Sequence, residues 1–177
     1  MGSFQAMTGK RLVAYKKKLK LSKVQEEVLV GSLLGDANLR LMKNHATLTM
    51  MHGENKKDYV FWKYKIFKDW VLTPPYQEFR NYYKDPSRKL SSWRFQTISH
   101  PMLTNFYFRF YEQDKKVTPV NLGKWLTPQA LAVWFMDDGS RKTYGRGTFF
   151  HTQNFSLKEN LYLIQNLKEK FGIESRI

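Results

Sequence analysis

The chain has 177 residues, no cysteine and a formal net charge of +15, with 42% hydrophobic and 16% aromatic residues. Those figures exclude disulfides, thiolate metal sites, cysteine nucleophiles and a disordered tail. No run reaches the roughly 18 apolar residues of a membrane helix, so the excess of Lys and Arg points to nucleic acid as the polyanionic partner, with no membrane.

The first 25 residues hold no Asp or Glu but carry Lys10, Arg11, Lys16, Lys17, Lys18, Lys20 and Lys23, so residues 1–21 read as a basic arm. The arm is too Lys-rich and Ser-poor for a transit peptide, and no secretory signal is present. Ser22 followed by Glu26 predicts a helix over 23–36 containing Leu29-Val-Gly-Ser-Leu-Leu-Gly-Asp36-Ala. Residues 38–43 and 46–52 alternate like strands around Asn44-His45, which predicts a hairpin. From Asn55 to Trp70 the spacing of Tyr59, Trp62, Ile66, Phe67 and Trp70 predicts an amphipathic helix with its aromatics in the core. Thr73-Pro74-Pro75 ends it. Residues 76–84 and 91–98 predict a second strand pair around a polar turn at 84–89, and residues 100–111 a further helix.

Residues 112–128 read as a connecting segment, with Thr127-Pro128 capping a second apolar helix, Leu131-Ala-Val-Trp-Phe-Met-Asp-Asp138-Gly. The pattern then restarts: a hairpin of 140–142 and 148–153 around 144–147, a helix over 156–171, and a third strand opening toward Ile177. The first half reads helix, two strands, helix, two strands, helix. The second repeats only helix, two strands, helix, and lacks two strands and a helix, roughly 30–45 residues by ordinary element lengths.

Two apolar helices that each stop on an Asp need an explanation. A buried, unpaired carboxylate is costly, and a helix C-terminus disfavours negative charge, so capping accounts for Asp36 and Asp138 poorly. Oxygen ligation of a hard divalent cation removes the cost. Gly31 and Gly35, one turn apart, would let a partner helix come close. The four histidines (His45, His52, His100 and His151) have no ligand spacing and read as surface or core residues. No Ser-His-Asp arrangement, phosphate-binding glycine loop or dinucleotide fingerprint appears.

With both motifs, and with Lys124-Trp-Leu-Thr-Pro128, Val71-Leu-Thr-Pro-Pro75 and His151-Thr-Gln-Asn-Phe155, the chain from about 22 to 177 resembles the single-chain, two-motif LAGLIDADG homing endonucleases. The resemblance implies an α+β fold built from an αββαββα repeat, in which two motif helices form a pseudo-twofold interface and two antiparallel sheets make a saddle over DNA. It implies a first half at 22–113, a linker at 114–126 and a second half at 127–177 that is truncated at its C-terminal end. A missing C-terminal segment or a second copy would complete it. Asp36 and Asp138 would bind catalytic Mg²⁺, with Mn²⁺ or Ca²⁺ as substitutes, helped by the backbones of Gly35 and Asp137. Lys116, before Pro119, matches the family's basic residue, while its counterpart in the second half would lie beyond Ile177. Double-stranded DNA would be cut on both strands across the minor groove, leaving short 3′ overhangs.

For base reading the strands offer Asn38, Arg40, Lys43, Arg80, Tyr82, Arg94, Gln96, Arg141, Lys142, Arg146 and Gln153. Arg and Lys pair with guanine edges, and Asn and Gln with adenine. The implied function is an intron-encoded, organellar, site-specific DNA endonuclease with a long asymmetric target. The alternative is an intron maturase or cleavage-inactive relative that binds DNA or intron RNA. A basic structural protein of nucleoids would leave the Asp-terminated helices without purpose.

Overall fold

A computed structural model describes residues 9–82, 84–144 and 146–177, the side chains at 86 and 88 excepted. Helix α1, Gly9–Lys18, folds part of the basic arm. It is tied down by the Tyr15 hydroxyl donating to the Asp69 carbonyl at 2.6 Å and by the His100 ring meeting the Lys16 carbonyl at 2.9 Å.

Helix α2, Lys23–Leu34, opens on a reciprocal cap: Gln25 N donates to Ser22 Oγ at 3.2 Å, and Ser22 N to Gln25 Oε1 at 2.9 Å. The cap partner is Gln25 rather than the expected Glu26, because the residue three after the N-cap faces back onto it. The helix also ends earlier than the expected Asp36. Gly35, a poor helix former, sits in a turn while its N–H still reaches the Gly31 carbonyl at 3.2 Å.

Strands β1 (Asn38–Leu41), β2 (Ala46–Gly53), β3 (Tyr76–Tyr82) and β4 (Asp85–Gln96) form an antiparallel sheet in the order β1-β2-β4-β3. Alternation buries Leu39, Leu48, Met50 and Phe95 on one face. Helix α3, Lys57–Ile66, packs there, with Tyr64 edge-on to Phe95 at 5.9 Å and Phe61 on Trp93 at 5.4 Å. The single helix expected over 55–70 is broken. A 3₁₀ turn, Glu54–Lys56, precedes α3, and a second, Lys68–Trp70, follows it. That second turn aims the Trp70 carbonyl at Ile98 N, 2.8 Å away, and buries the indole. Trp62 is 37% exposed, so this aromatic row is only partly core.

β4 also begins sooner than expected, since Asp85 pairs with Tyr82 and Lys89 with Asn81 across an irregularity in the register.

Helix α4, Pro101–Phe110, leads into a two-residue hairpin, β5 (Tyr111–Glu112) and β6 (Lys115–Lys116). Its turn residues Gln113 and Asp114 take φ values of 49° and 61°, the twist short hairpins favour. Leu122 and Leu126 in the segment after it are fully buried.

Helix α5, Pro128–Asp138, starts as the sequence predicts, with Thr127 Oγ1 accepting from Ala130 N at 3.2 Å and Pro128 in the first turn. Strands β7 (Gly139–Arg141) and β8 (Thr148–Phe150) follow, then α6, Leu157–Phe171, with a Ser156–Glu159 capping box. The strand expected toward Ile177 is not formed. Gly172 turns the chain at φ 65°, and Ile173 N bonds back to Leu167 O at 3.3 Å, closing the helix.

The chain divides into two compact units. One holds α1, Asp36–Thr104 and the residues leading into α2; the other holds Glu26–Gly35 and Asn105–Ile177. The bodies of the two motif helices, α2 and α5, thus belong to the same unit.

Candidate active site and nucleic-acid face

The close helix approach expected from Gly31 and Gly35 is present. A methyl on Gly31 would lie 2.3 Å from the Ala130 carbonyl oxygen and 2.8 Å from Val133 Cβ; one on Gly35 would lie 2.4 Å from Asp137 Cβ. Backbone therefore meets side chain and backbone directly, and only hydrogen fits at either glycine. The Asp137 side chain is buried against Gly35, and Asp138 is the last residue of α5, its carbonyl accepting from His151 N at 2.9 Å.

Lys116, on β6, donates from Nζ to the Gly35 carbonyl oxygen at 2.7 Å. The basic residue picked out by its place before Pro119 is therefore at the end of the first motif helix. Its neighbour Lys115 is exposed.

Asp36, just past α2, has its Oδ2 3.2 Å from His52 Nδ1. Desolvation pushes the Asp36 carboxyl upward, but the hydrogen bond from His52 and the positive charges of Lys56 and Lys63 outweigh it. The net effect holds its pKa below the ordinary carboxylate value, so the group is ionised at neutral pH. An open cavity of about 330 Å³ lies beside it, lined by Asp36, Met51, His52, Gly53, Asn55, Lys56 and Ser92. Sequence reading passed over His52. The signal was available: Ala46, Leu48, Met50 and His52 alternate on the inner side of β2, and a histidine at the end of a buried row needs a polar partner.

The strand register gathers much of the expected base-reading set. Asn38 faces Thr49, which faces Gln96; Arg40 faces Thr47; Tyr76 faces Arg94; Arg80 faces Leu90. Since side chains alternate, Asn38, Arg40, Arg80, Arg94 and Gln96 share the sheet face opposite α3. Arg94 and Arg80 both bond to Glu78, at 3.1 and 3.3 Å, and Gln96 donates to Thr47 at 3.2 Å. Lys43 lies in the β1–β2 turn, and Tyr82 at the β3 bulge.

In the second unit the register separates two neighbours. Arg141 shares a face with Phe150, whose ring packs on Trp134 at 4.2 Å, whereas Lys142 lies on the other face with its ammonium 5.3 Å from the Phe149 ring. Arg146 is exposed in the hairpin turn. Gln153 meets the His151 ring at 3.4 Å, and His151 meets Ser140 Oγ at 2.9 Å.

Among the described residues no cluster of three or more His, Cys, Asp or Glu could cage a metal. The donors at the motif ends are hard oxygens, an ionised carboxylate and a backbone carbonyl. That set fits Mg²⁺, which keeps several waters and needs only one or two carboxylates when substrate phosphates supply the rest. No described helix is long and apolar enough to cross a membrane.

Comparison with known proteins points the same way. The chain is 32% identical to the probable intron-encoded endonuclease 1 of Wickerhamomyces canadensis, over 89% of this chain and 70% of that protein. It is 29% identical to the DNA endonuclease I-ChuI of Chlamydomonas applanata, over 90% of this chain and 78% of that one. Among solved structures, the homing endonuclease I-WcaI bound to its DNA recognition sequence matches with a TM-score of 0.88 and 31% identity, covering 98% of this chain and 79% of that one. The profile of the LAGLIDADG DNA endonuclease family matches residues 26–177, and the chain belongs to that family.

Proposed function

We propose that this chain is a site-specific, divalent-metal-dependent homing endonuclease, encoded within an organellar intron, that hydrolyses DNA at a long asymmetric target. The observation that carries the reading is the seat of two apolar helices on Gly31 and Gly35, each helix followed or closed by an aspartate, with Lys116 on the Gly35 carbonyl. The reading keeps a first half at 22–113 and a second at 127–177, joined by 114–126. The intron context is supported by the intron-encoded relative, and the DNA substrate by the I-WcaI complex.

In hydrolysis, water attacks phosphorus, a P–OH bond forms, and the P–O3′ bond breaks, leaving a 5′ phosphate and a 3′ hydroxyl. Asp36 and Asp138 would hold Mg²⁺, assisted by the Gly35 and Asp137 carbonyls. When bound, the ion supplies Lewis-acid polarisation of the phosphate and a more acidic water. Asp36 contributes a carboxylate that is already ionised, and Lys116 contributes positive charge to offset the negative charge that develops on the phosphate in the transition state. The shared face of Asn38, Arg40, Arg80, Arg94 and Gln96 presents donors suited to base edges in the major groove. Lys43, Tyr82, Arg141, Lys142, Arg146 and Gln153 complete the proposed contact set. The net charge of +15 favours phosphate contacts in general.

The test is selection of cleaved plasmids from a randomised-target library with Mg²⁺, comparing the chain with Asp36→Asn and Asp138→Asn. Discrete double-strand cuts lost in either variant are expected. Salt-sensitive binding without cutting would overturn the reading in favour of a maturase or a cleavage-inactive relative.

A further inference from the structure

Lys63 is fully buried on α3, on the same helical face as Val60 and Phe67. A core position of that kind normally takes an aliphatic residue, and an isolated ammonium there would carry a heavy desolvation cost. Its Nζ lies 3.2 Å from His52 Nε2 and 4.4 Å from the centre of the Tyr59 ring. The other nitrogen of the same imidazole, Nδ1, is 3.2 Å from Asp36 Oδ2. Three side chains from β2, α3 and the turn after α2 are thus joined end to end, from the core to the edge of the open cavity.

The chemistry of the groups fixes the direction of this chain. An ammonium only donates, and an ionised carboxylate only accepts. His52 is therefore asked to accept at Nε2 and donate at Nδ1, which the neutral Nδ1–H tautomer alone can do. We propose that Lys63 and His52 are positioning residues: the buried Lys63 ammonium locks the His52 tautomer and ring, and His52 in turn fixes the direction of the Asp36 carboxylate toward the cavity it lines. The inference rests on the endonuclease reading in taking Asp36 as a metal-binding group. Neither residue need touch DNA or metal. Outer groups of this kind, acting on a ligand through a hydrogen bond, typically change metal affinity by about 10–100-fold.

Two measurements on the full chain test it. The first is long-range proton–nitrogen correlation of ¹⁵N-histidine-labelled, metal-free protein, which distinguishes the tautomers directly. His52 is expected with Nδ1 protonated and Nε2 bare, and Lys63→Met, of similar length and without charge, is expected to lose that signature. Finding Nε2 protonated in the unmodified chain would overturn the proposal, with no variant required to fold. The second is titration with Mn²⁺ alone, followed by electron paramagnetic resonance, with thermal unfolding as a check on folding. Lys63→Met is expected to bind Mn²⁺ about 10–100-fold more weakly, and His52→Gln, whose amide can still donate, to retain more affinity than His52→Ala. A folded Lys63→Met protein that binds Mn²⁺ as the parent does would reduce Lys63 to a structural residue and overturn the proposal. Failure of the endonuclease reading is separate: it would appear as absence of cleavage by the parent chain while the tautomer and Mn²⁺ results stood.

Discussion

Lys116 Nζ and the Gly35 carbonyl oxygen stand 2.7 Å apart, which ties the short β5–β6 hairpin to the end of the first motif helix. Helix carbonyls near a C-terminus lack intrahelical donors, so the lysine satisfies an acceptor while bringing positive charge to the end of that helix. Lys116→Met is expected to lower single-turnover cleavage on the order of 10²–10³-fold, the range seen when one charge-stabilising donor is removed. Target affinity in Ca²⁺ should be nearly unchanged. Wild-type rates in the variant would remove Lys116 from the reaction.

The helix seat makes a second, purely structural prediction. Gly31→Leu places carbon where the Ala130 carbonyl oxygen and Val133 already stand. Overpacking of this kind typically costs about 1–3 kcal/mol, and the close backbone contact puts this site at the upper end. Urea unfolding should show a lowered midpoint, whereas Gly172→Asn, at a left-handed C-cap with open space around it, should change stability little.

Glu159 gives a pH dependence with a definite sign. Desolvation raises its pKa, but hydrogen bonds from Ser156 and Thr118, with the charge of Lys115, hold it below its ordinary value near 4.5. A depressed folded-state value means the stabilisation is present above that ordinary value and is lost as pH falls through the folded one. The urea midpoints of the parent and Glu159→Gln should therefore differ at pH 7 and converge in acid. A gap that widens in acid would contradict the assigned hydrogen bonds.

Glu78 sits between Arg80 and Arg94 on the polar face of the sheet and bonds to both. Glu78→Gln removes one negative charge and leaves two guanidiniums for phosphate or base edges. Non-specific duplex binding should tighten, and the slope of log affinity against log salt should steepen by about one, for one further phosphate neutralised. An unchanged slope would show that this face does not meet DNA.

Much of this was legible in the sequence because its signals were local. Thr127 with Pro128, and the apolar helix closing on Asp138, each carry their meaning within a few residues and sit where the pattern put them, while the first motif helix stops at Leu34 instead of Asp36. Gly31 and Gly35 announced a close neighbour, though not that it would be Ala130, Val133 and Asp137. What escaped depended on pairing across the chain. The long β4 is set by its register with β3, the break at Phe67 by a bond from Ile98 to Trp70, and the site role of His52 by Asp36 and Lys63. His52 and Lys63 lie on apolar faces of separate elements, and their meeting gives each a polar neighbour.

The sheet carries Asn38, Arg40, Arg80, Arg94 and Gln96 on one side of a ladder whose other side is packed under α3, and that division has a consequence for how the protein can change. Exchanging Asn38, Arg40 or Gln96 alters what the outer face offers without moving a backbone atom, while neither motif glycine tolerates a single added carbon. On the proposed reading, preference for a sequence and permanence of shape are written at different positions, and the first can drift one side chain at a time while the second stays still.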